Sequence, residues 1–223
     1  MIMFGIKKFL FRSDVPAHLP EDVRAGLEAW RELAAPSLDG PHFHTRYVVV
    51  DVATSGTDPE TDQLLGIATS SVHQSAILPG DALYIDFAEG GEEGGAVERQ
   101  LLAFLQHAAK APLVTYHVPF VGGFIQRACK ERLGVDFQPQ WIDLAWLLPS
   151  LFPAKNSKVM PLDHWLEAFG LDVGSGRRNA MENSLLLSRL FQMLLVRASS
   201  KEIETAAKLI GESRASSFLR RIN

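Results

Sequence analysis

One segment constrains this chain more than any other, the run YVVVDVATSG from Tyr47 to Gly56. Its first four residues are β-branched or aromatic and apolar on both faces, which predicts a buried central strand. Serine and glycine then predict a turn, and Asp51 lies close to that end of the strand. Because side chains alternate along a strand, residues 51 and 53 point to the same side, where two carboxylates would form a cation site. Only residue 51 is an acid, since residue 53 is alanine.

Three segments occur in the order and spacing of a known family. The strand resembles the D-x-E-T-T-G segment of the DEDD-type 3′-5′ exonucleases (DnaQ-like), the family of the proofreading epsilon subunit of bacterial DNA polymerase III. The run LVTYHVPFVGGF from Leu113 is similar to that family's L-V-A-H-N-x-x-F-D-x-x-F. The run RRNAMENSLLLSRLF from Arg177 is similar to R-H-N-A-L-E-D-A-L-x-T-A-R-L-F. The resemblance covers residues 46 to 197, which is most of the chain.

This resemblance implies a fold and the location of a site. The fold would be an α/β, ribonuclease H-like fold with a mixed central β-sheet flanked by helices, and the alternation of predicted strands and helices favours the same architecture. Enzymes of the family would use two Mg²⁺ or Mn²⁺ ions held by four acids, together with a histidine as general base. The corresponding positions of this chain are Asp51, Ala53, Val121, Arg178 and Asn183.

These five residues lack what metal-dependent hydrolysis requires. Hard cations bind oxygen ligands, usually charged ones, whereas alanine and valine provide none and asparagine provides one neutral carbonyl. Arginine stays protonated, so it cannot accept a proton from water, and its charge repels a metal ion. We therefore predict no intact catalytic residue, no bound metal and no other cofactor. Because Asp51 would otherwise be unpaired in an apolar pocket, we expect Arg178 to pair with it, with Asn183 as a bridge.

Other polar residues of these segments are expected to have structural roles. Asp143 and Asp163 lie where helices are predicted to begin, and acids there usually cap backbone N–H groups. Glu182 is one helical step, about 100°, from Asn183 and is expected to point away from the site. Three acids of the turn after the first strand are expected to be solvated, namely Asp58, Glu60 and Asp62. The tryptophans are expected to pack in the core rather than stack on bases; they are Trp30, Trp141, Trp146 and Trp165.

Composition restricts the classes of function. The formal net charge is −4 and the pI is about 6.0, so no global basic field attracts nucleic acid. The single cysteine, Cys129, excludes an internal disulfide and favours a reducing cytoplasm. No apolar run approaches the ~20 residues that a membrane span needs. The N-terminus is apolar and basic but is not typical of a secretory signal, so we expect a cytoplasmic protein.

The chain is predicted to contain one domain with two appended segments. Residues 1–45 form an N-terminal segment with an amphipathic helix over about 20–34, residues 46–198 form the exonuclease-like domain, and residues 199–223 form a C-terminal helix. Strands are predicted over 64–72 and 74–87, as an antiparallel pair, and over 112–116. Helices are predicted over 96–109, 119–133, 161–169 and 178–198, with another helical segment beginning at Trp141 and a glycine- and acid-rich loop over 89–95.

Three kinds of function remain open for such a chain. The interpretation we favour is a catalytically inactive pseudoenzyme that serves as a protein interaction or regulatory module, in which a homodimer is one arrangement. The second is binding of single-stranded nucleic acid without cleavage, where Arg178 or His117 would hold a phosphate. A hydrogen-bonded structural role is nevertheless favoured for His117. The third is a weak metal-dependent 3′-5′ exonuclease.

Overall fold

The structure is a computed structural model that describes residues 15–87, 94–171, 174 and 178–222. The apolar N-terminus, most of the predicted glycine- and acid-rich loop and Arg177 lie outside the described residues. In the last helix, side chains are described as far as Phe218.

A mixed sheet of five strands forms the centre of the described chain. The strands follow the order β3-β2-β1-β4-β5. Neighbours β1 and β2, and β2 and β3, run antiparallel, whereas β4 runs parallel to both β1 and β5. The mixed sheet is therefore confirmed, and the carboxyl ends of β1, β4 and β5 share one edge of it. The strands are β1 (Tyr47–Thr54), β2 (Leu64–His73), β3 (Ala76–Asp86), β4 (Leu113–Thr115) and β5 (Trp141–Asp143).

The prediction of a helix from Trp141 was wrong for its first three residues. Trp141–Asp143 is strand β5, which pairs in parallel with β4 so that Leu113 lies opposite Trp141 and Val114 opposite Ile142. Three residues are too few to show a period of two, and the hydrogen bonds that define this strand come from β4, about thirty residues earlier in the chain. The helix that follows begins at Leu144.

Seven α-helices and one short 3₁₀ segment accompany the sheet in the described chain. The predicted helices are confirmed with small shifts of their ends, except that the last helix begins at Ala206 rather than at residue 199. Residues 200–202 form a turn, with Glu202 at a left-handed φ of +63°, which does not continue the helix, and Thr205 forms a bridge with Pro41. The helices are α1 (Glu21–Glu32), α2 (Ala96–Ala108), α3 (Val118–Leu133), α4 (Leu144–Leu151), α5 (Leu162–Ala168), α6 (Ala180–Ser199) and α7 (Ala206–Ile222), and the 3₁₀ segment is His42–His44.

The sheet separates two hydrophobic cores, as the alternation of side chains along β1 requires. Val48 and Val50 pack with α1, α2 and α3 on one face, while Tyr47 and Val49 pack with α4, α6 and α7 on the other. Cys129 of α3 is fully buried in the first core as a free thiol, where it packs as a small apolar residue. Both faces of β1 are thus covered, which is why its first four residues are apolar without alternation.

The segments on either side of the predicted domain pack on it. The amphipathic helix α1 places Val23, Leu27 and Trp30 in the first core. His42 forms hydrogen bonds through both ring nitrogens: Nδ1 with the Tyr47 hydroxyl (2.6 Å) and Nε2 with the carbonyl of Ile203 (2.9 Å). These bonds connect the segment before β1 to the segment before α7. None of the helices in the described ranges is long and apolar enough to cross a membrane.

Candidate functional site

Of the five positions that the family resemblance singles out, four lie on three elements, β1, α3 and α6, and the fifth precedes α6. Asp51 and Ala53 belong to β1, Val121 to the first turns of α3, and Asn183 to the first turn of α6. Arg178 precedes α6 by two residues. Val121 is 1% exposed and packs in the same core as Val52, so its side chain fills space with methyl groups.

A chain of hydrogen bonds connects the polar members of this set. Asn183 Nδ2 donates to Asp51 Oδ2 over 3.0 Å, and Arg178 Nε donates to the other end of the same amide, Asn183 Oδ1, over 2.8 Å. Arg178 Nη2 then donates to Asp163 Oδ1, with which it forms an ion pair. We call these four residues the Asp51–Asp163 chain.

The Asp51–Asp163 chain differs from the expected arrangement in one respect. We expected Arg178 to pair with Asp51, whereas the ion-pair partner that the structure gives it is Asp163 of α5. Arg178 is connected to Asp51 through the Asn183 side chain. The guanidinium donates to the amide oxygen, and the amide nitrogen donates to the carboxylate. The predicted bridge by Asn183 is therefore present, and the predicted direct contact is not.

Burial dominates the ionisation of Asp51. It raises the pKa of this carboxyl from 3.8 to about 6, while the hydrogen bond from Asn183 and the positive charge of Arg178 oppose the shift. A carboxylate that bound a metal ion would instead be held in its ionised form. Asp51 is consequently an acid whose negative charge is poorly stabilised by its surroundings.

The acids that could replace the missing ligands are engaged elsewhere. Glu182 Oε2 accepts from the backbone of Asn179, whose own side chain accepts from the Glu182 backbone, both at 2.9 Å, which is a capping box at the start of α6. In the turn after β1, Asp62 accepts from the Asp58 backbone and Asp58 from that of Glu60. Within the described residues, no group of three histidines, cysteines or acids could hold a metal ion.

The two acids expected to be helix caps behave differently. Asp143 is the N-cap of α4 and accepts from the backbone of Ala145, as predicted, and it also accepts from the backbones of His117 and Val118 at the start of α3. Its carboxylate thus stabilises the first turns of two helices. Asp163 is not a cap, since the N-cap of α5 is Pro161, and it pairs with Arg178 instead.

His117 occupies the junction between β4 and α3. Its φ of +71° is left-handed, and its side chain is exposed while its backbone N–H is bound by Asp143. No hydrogen bond or ion pair joins it to Arg178 in the part of the chain that the structure describes. Phosphate binding by either residue stays a prediction. The residue that sequence reasoning missed is Asp163, for which no spacing or motif indicates a partner at Arg178.

Three solved structures with a similar arrangement of elements are nucleases. The nuclease domain of 3′hExo, described as a DEDDh family member bound to rAMP, matches with a TM-score of 0.55 and 13% identity over 70% of this chain and 94% of that one. Cell-death related nuclease 4 matches with a TM-score of 0.54 and 11% identity over 70% of this chain and 66% of that one. Exonuclease X in complex with 5′ overhanging duplex DNA has a TM-score of 0.50 and 14% identity over 75% and 99%.

The chain has the ribonuclease H-like fold of these nucleases. At such low identities the likeness establishes the fold, as the sequence predicted, and leaves the activity to be argued from the site. No protein-family model and no curated protein sequence matches the chain significantly.

Proposed function

We propose that this chain is a pseudoenzyme of the exonuclease fold, which does not hydrolyse phosphodiesters and serves as a protein interaction or regulatory module. The observation that carries the proposal is the hydrogen bond from Asn183 to Asp51. It places an amide donor on the carboxylate oxygen at the location where a two-metal site needs a second acid.

Charge supports the same conclusion. Two divalent ions about 4 Å apart require several carboxylates to offset their charge, and the described site has one, Asp51, with its pKa raised to about 6. A guanidinium is bound to the same amide as that carboxylate, and its positive charge opposes the entry of a cation. Ala53 and Val121 add no oxygen ligand.

Nucleic-acid binding at this same site is a weaker hypothesis than an interaction or regulatory module. Two of the guanidinium nitrogens of Arg178 already donate to Asn183 and Asp163, and only 16% of that side chain is exposed. A phosphate would therefore have to share the guanidinium with these two partners. The net charge of −4 adds no long-range attraction for a polyanion.

A nuclease assay tests the proposal. The protein is incubated at high concentration with 5′-labelled single-stranded DNA and short RNA in Mg²⁺ or Mn²⁺, and we expect no shortened products above the level of an Asp51→Ala variant purified in parallel. The matched control is Asp39→Ala, which removes an exposed acid distant in sequence from the site. Turnover that Asp51→Ala abolishes and Asp39→Ala preserves would contradict the proposal.

Metal binding can be tested without any activity. A variant with Ala53→Glu, Val121→Asp, Arg178→His and Asn183→Asp regains the ligand set, so we expect Mn²⁺ to raise its melting temperature and to leave that of the wild type unchanged. An equal rise for the wild-type protein that is lost in Asp51→Ala would show that the present site already holds metal.

A fluorescent oligonucleotide titration at low and physiological salt distinguishes nucleic-acid binding from protein interaction. Binding to phosphates weakens steeply as the salt concentration rises.

A further inference from the structure

A cavity lies outside the site described above. It has a volume of about 440 Å³ and opens between the first turn of α3, strand β5, helix α4 and helix α7. None of the five positions of the former metal site lines it. Its volume is within the range of small-molecule sites, about 300 to 1,000 Å³.

Aromatic side chains form the walls of this cavity. Trp30 and Trp165 are buried, as predicted for all four tryptophans, but Trp141 and Trp146 are only half-buried and line the cavity. The indole of Trp141 packs over Gly122, where an added Cβ would lie 3.4 Å from the ring. Trp146 belongs to neither hydrophobic core. Its indole is therefore not required to fill the protein interior.

A third aromatic residue completes the apolar part of the cavity. Phe218 of α7 is 64% exposed, which is unusual for a side chain of this size. Three aromatic rings around one opening offer flat apolar surfaces to a ligand that is itself flat.

Two buried polar side chains also line the cavity. Asp143 is 5% and Ser213 is 4% exposed, and the Asp143 backbone N–H donates to Ser213 Oγ over 2.9 Å. Ser213 Oγ is an acceptor in that bond, and its own hydroxyl proton has no acceptor among the described residues. The Asp143 carboxylate receives three backbone bonds, which leaves one of its roughly four acceptor directions unused. The lining residues of the cavity thus include a buried hydroxyl donor and a buried carboxylate acceptor.

A cation lies at the rim of the cavity. Arg214 of α7 is exposed, and its Nη2 donates to Gln140 Oε1 over 2.8 Å. Its remaining guanidinium N–H groups have no partner in the described part of the chain. A guanidinium with unused donors binds phosphate oxygens well.

We propose that this cavity binds a nucleoside monophosphate, either free or as the end of a single strand. The base would stack on Trp146, its hydrogen-bonding edge would meet the Asp143 and Ser213 pair, and its phosphate would reach Arg214. Base edges present donors beside acceptors, which is the complement of such a pair, and stacking on aromatic side chains holds bases of any sequence. The proposal concerns binding alone and holds whether or not the former metal site is inactive.

Calorimetry and tryptophan fluorescence test this binding in EDTA, so that metal-dependent hydrolysis plays no part. The ligands are the four common 5′-ribonucleoside monophosphates, the matching nucleosides and a short oligonucleotide. We expect at least one monophosphate to bind and to quench the fluorescence. Trp146→Ala should weaken its binding about tenfold or more. Arg214→Ala should weaken the monophosphate to the level of its nucleoside and leave the nucleoside unchanged.

Three variants serve as matched controls. Phe43→Ala removes an exposed aromatic ring and Arg189→Ala an exposed cation, both from outside the cavity, and neither should change the affinity. Asp51→Ala should not change it either. Trp146→Phe keeps a ring and should lose less affinity than Trp146→Ala, and if the alanine variant unfolds, this variant and Arg214→Ala decide the question.

Several results would overturn the proposal. These are the absence of binding by any monophosphate up to about 1 mM, equal affinities for wild type, Trp146→Phe and Arg214→Ala, or a loss of binding in Asp51→Ala, which would move the ligand to the former metal site. If mononucleotides bind and the oligonucleotide does not, the natural ligand is free, whereas binding of both assigns the cavity to strand ends. Nuclease activity in Mn²⁺ would contradict the proposed function and leave this proposal unaffected.

Discussion

Asp51 and Asp143 occupy comparable places in the sheet and have opposite surroundings. Each is an acid near the carboxyl end of a strand, β1 or β5, and burial raises the pKa of both. Asp143 accepts backbone hydrogen bonds from His117, Val118 and Ala145, whereas Asp51 accepts a side-chain hydrogen bond from Asn183.

The difference separates an acid that the fold needs from one that the fold tolerates. The donors of Asp143 are backbone N–H groups at helix starts, which would otherwise be left without acceptors. The side chain that donates to Asp51 is Asn183, at a position where the family resemblance implies an acid. Hydrogen-bond acceptors are therefore required at residue 143, whereas at residue 51 the carboxylate accepts from one side chain, although burial opposes ionisation at both positions.

The largest expected effect is the loss of the Asp143 carboxylate. Asp143→Ala leaves backbone donors at the starts of α3 and α4 without their acceptor, so we expect the free energy of unfolding to fall by about 3 kcal/mol or more. Urea denaturation followed by circular dichroism measures this. The control Asp163→Ala removes an acid whose side chain is 58% exposed and should cost under about 1 kcal/mol. Equal losses in the two variants would remove the distinction between Asp143 and an ordinary surface acid.

An effect of the opposite sign is expected at Asp51. The pKa of this carboxyl is about 6 in the folded chain and 3.8 in the reference state, so the folded protein binds more protons between these values and its stability falls as the pH rises through them. Asp51→Asn removes the buried charge. We therefore expect the variant to exceed wild type by about 1 to 3 kcal/mol at neutral pH.

The pH dependence identifies the cause of that gain. Below a pH of about 4 the carboxyl is protonated in both states, so the advantage of Asp51→Asn should disappear there, as denaturation at several pH values would show. Asp39→Asn, which neutralises an exposed acid, should give no such profile. If Asp51→Asn is less stable than wild type at neutral pH, the charge of Asp51 is well stabilised by its surroundings. The distinction between Asp51 and Asp143 would then be lost.

The smallest expected effect concerns Arg178. Arg178→Ala breaks the ion pair with a largely exposed acid and leaves the Asn183 amide oxygen without its donor, so we expect a loss of about 1 kcal/mol at neutral pH. Because the charge of Arg178 lowers the pKa of Asp51, the variant should also raise that pKa, which an NMR titration of the carboxyl measures. Arg189→Ala should change neither quantity. An unchanged pKa in Arg178→Ala would show that the guanidinium does not act on Asp51.

The fold could be predicted from particular stretches of sequence. The continuous apolar run of β1 indicates a strand covered on both faces, and the spacing of Val23, Leu27 and Trp30 indicates the buried stripe of α1. Strand β5 could not be predicted, because three residues carry no period and its identity depends on β4. The cap by Asp143 follows from its local position, but its bonds to α3 depend on the packing of β5 beside β4.

The sequence by itself determined which atoms the site offers, because donor and acceptor groups are covalent properties of each residue. One carboxylate, one amide, one guanidinium and two apolar side chains follow directly from residues 51, 183, 178, 53 and 121. Only the tertiary structure decided which of these groups form hydrogen bonds with each other. Asn183 and Asp51 are 132 residues apart in the sequence, and Arg178 pairs with Asp163 rather than with Asp51. Hydrogen bonds act over about 3 Å, so they depend on which side chains the folded sheet and helices bring that close.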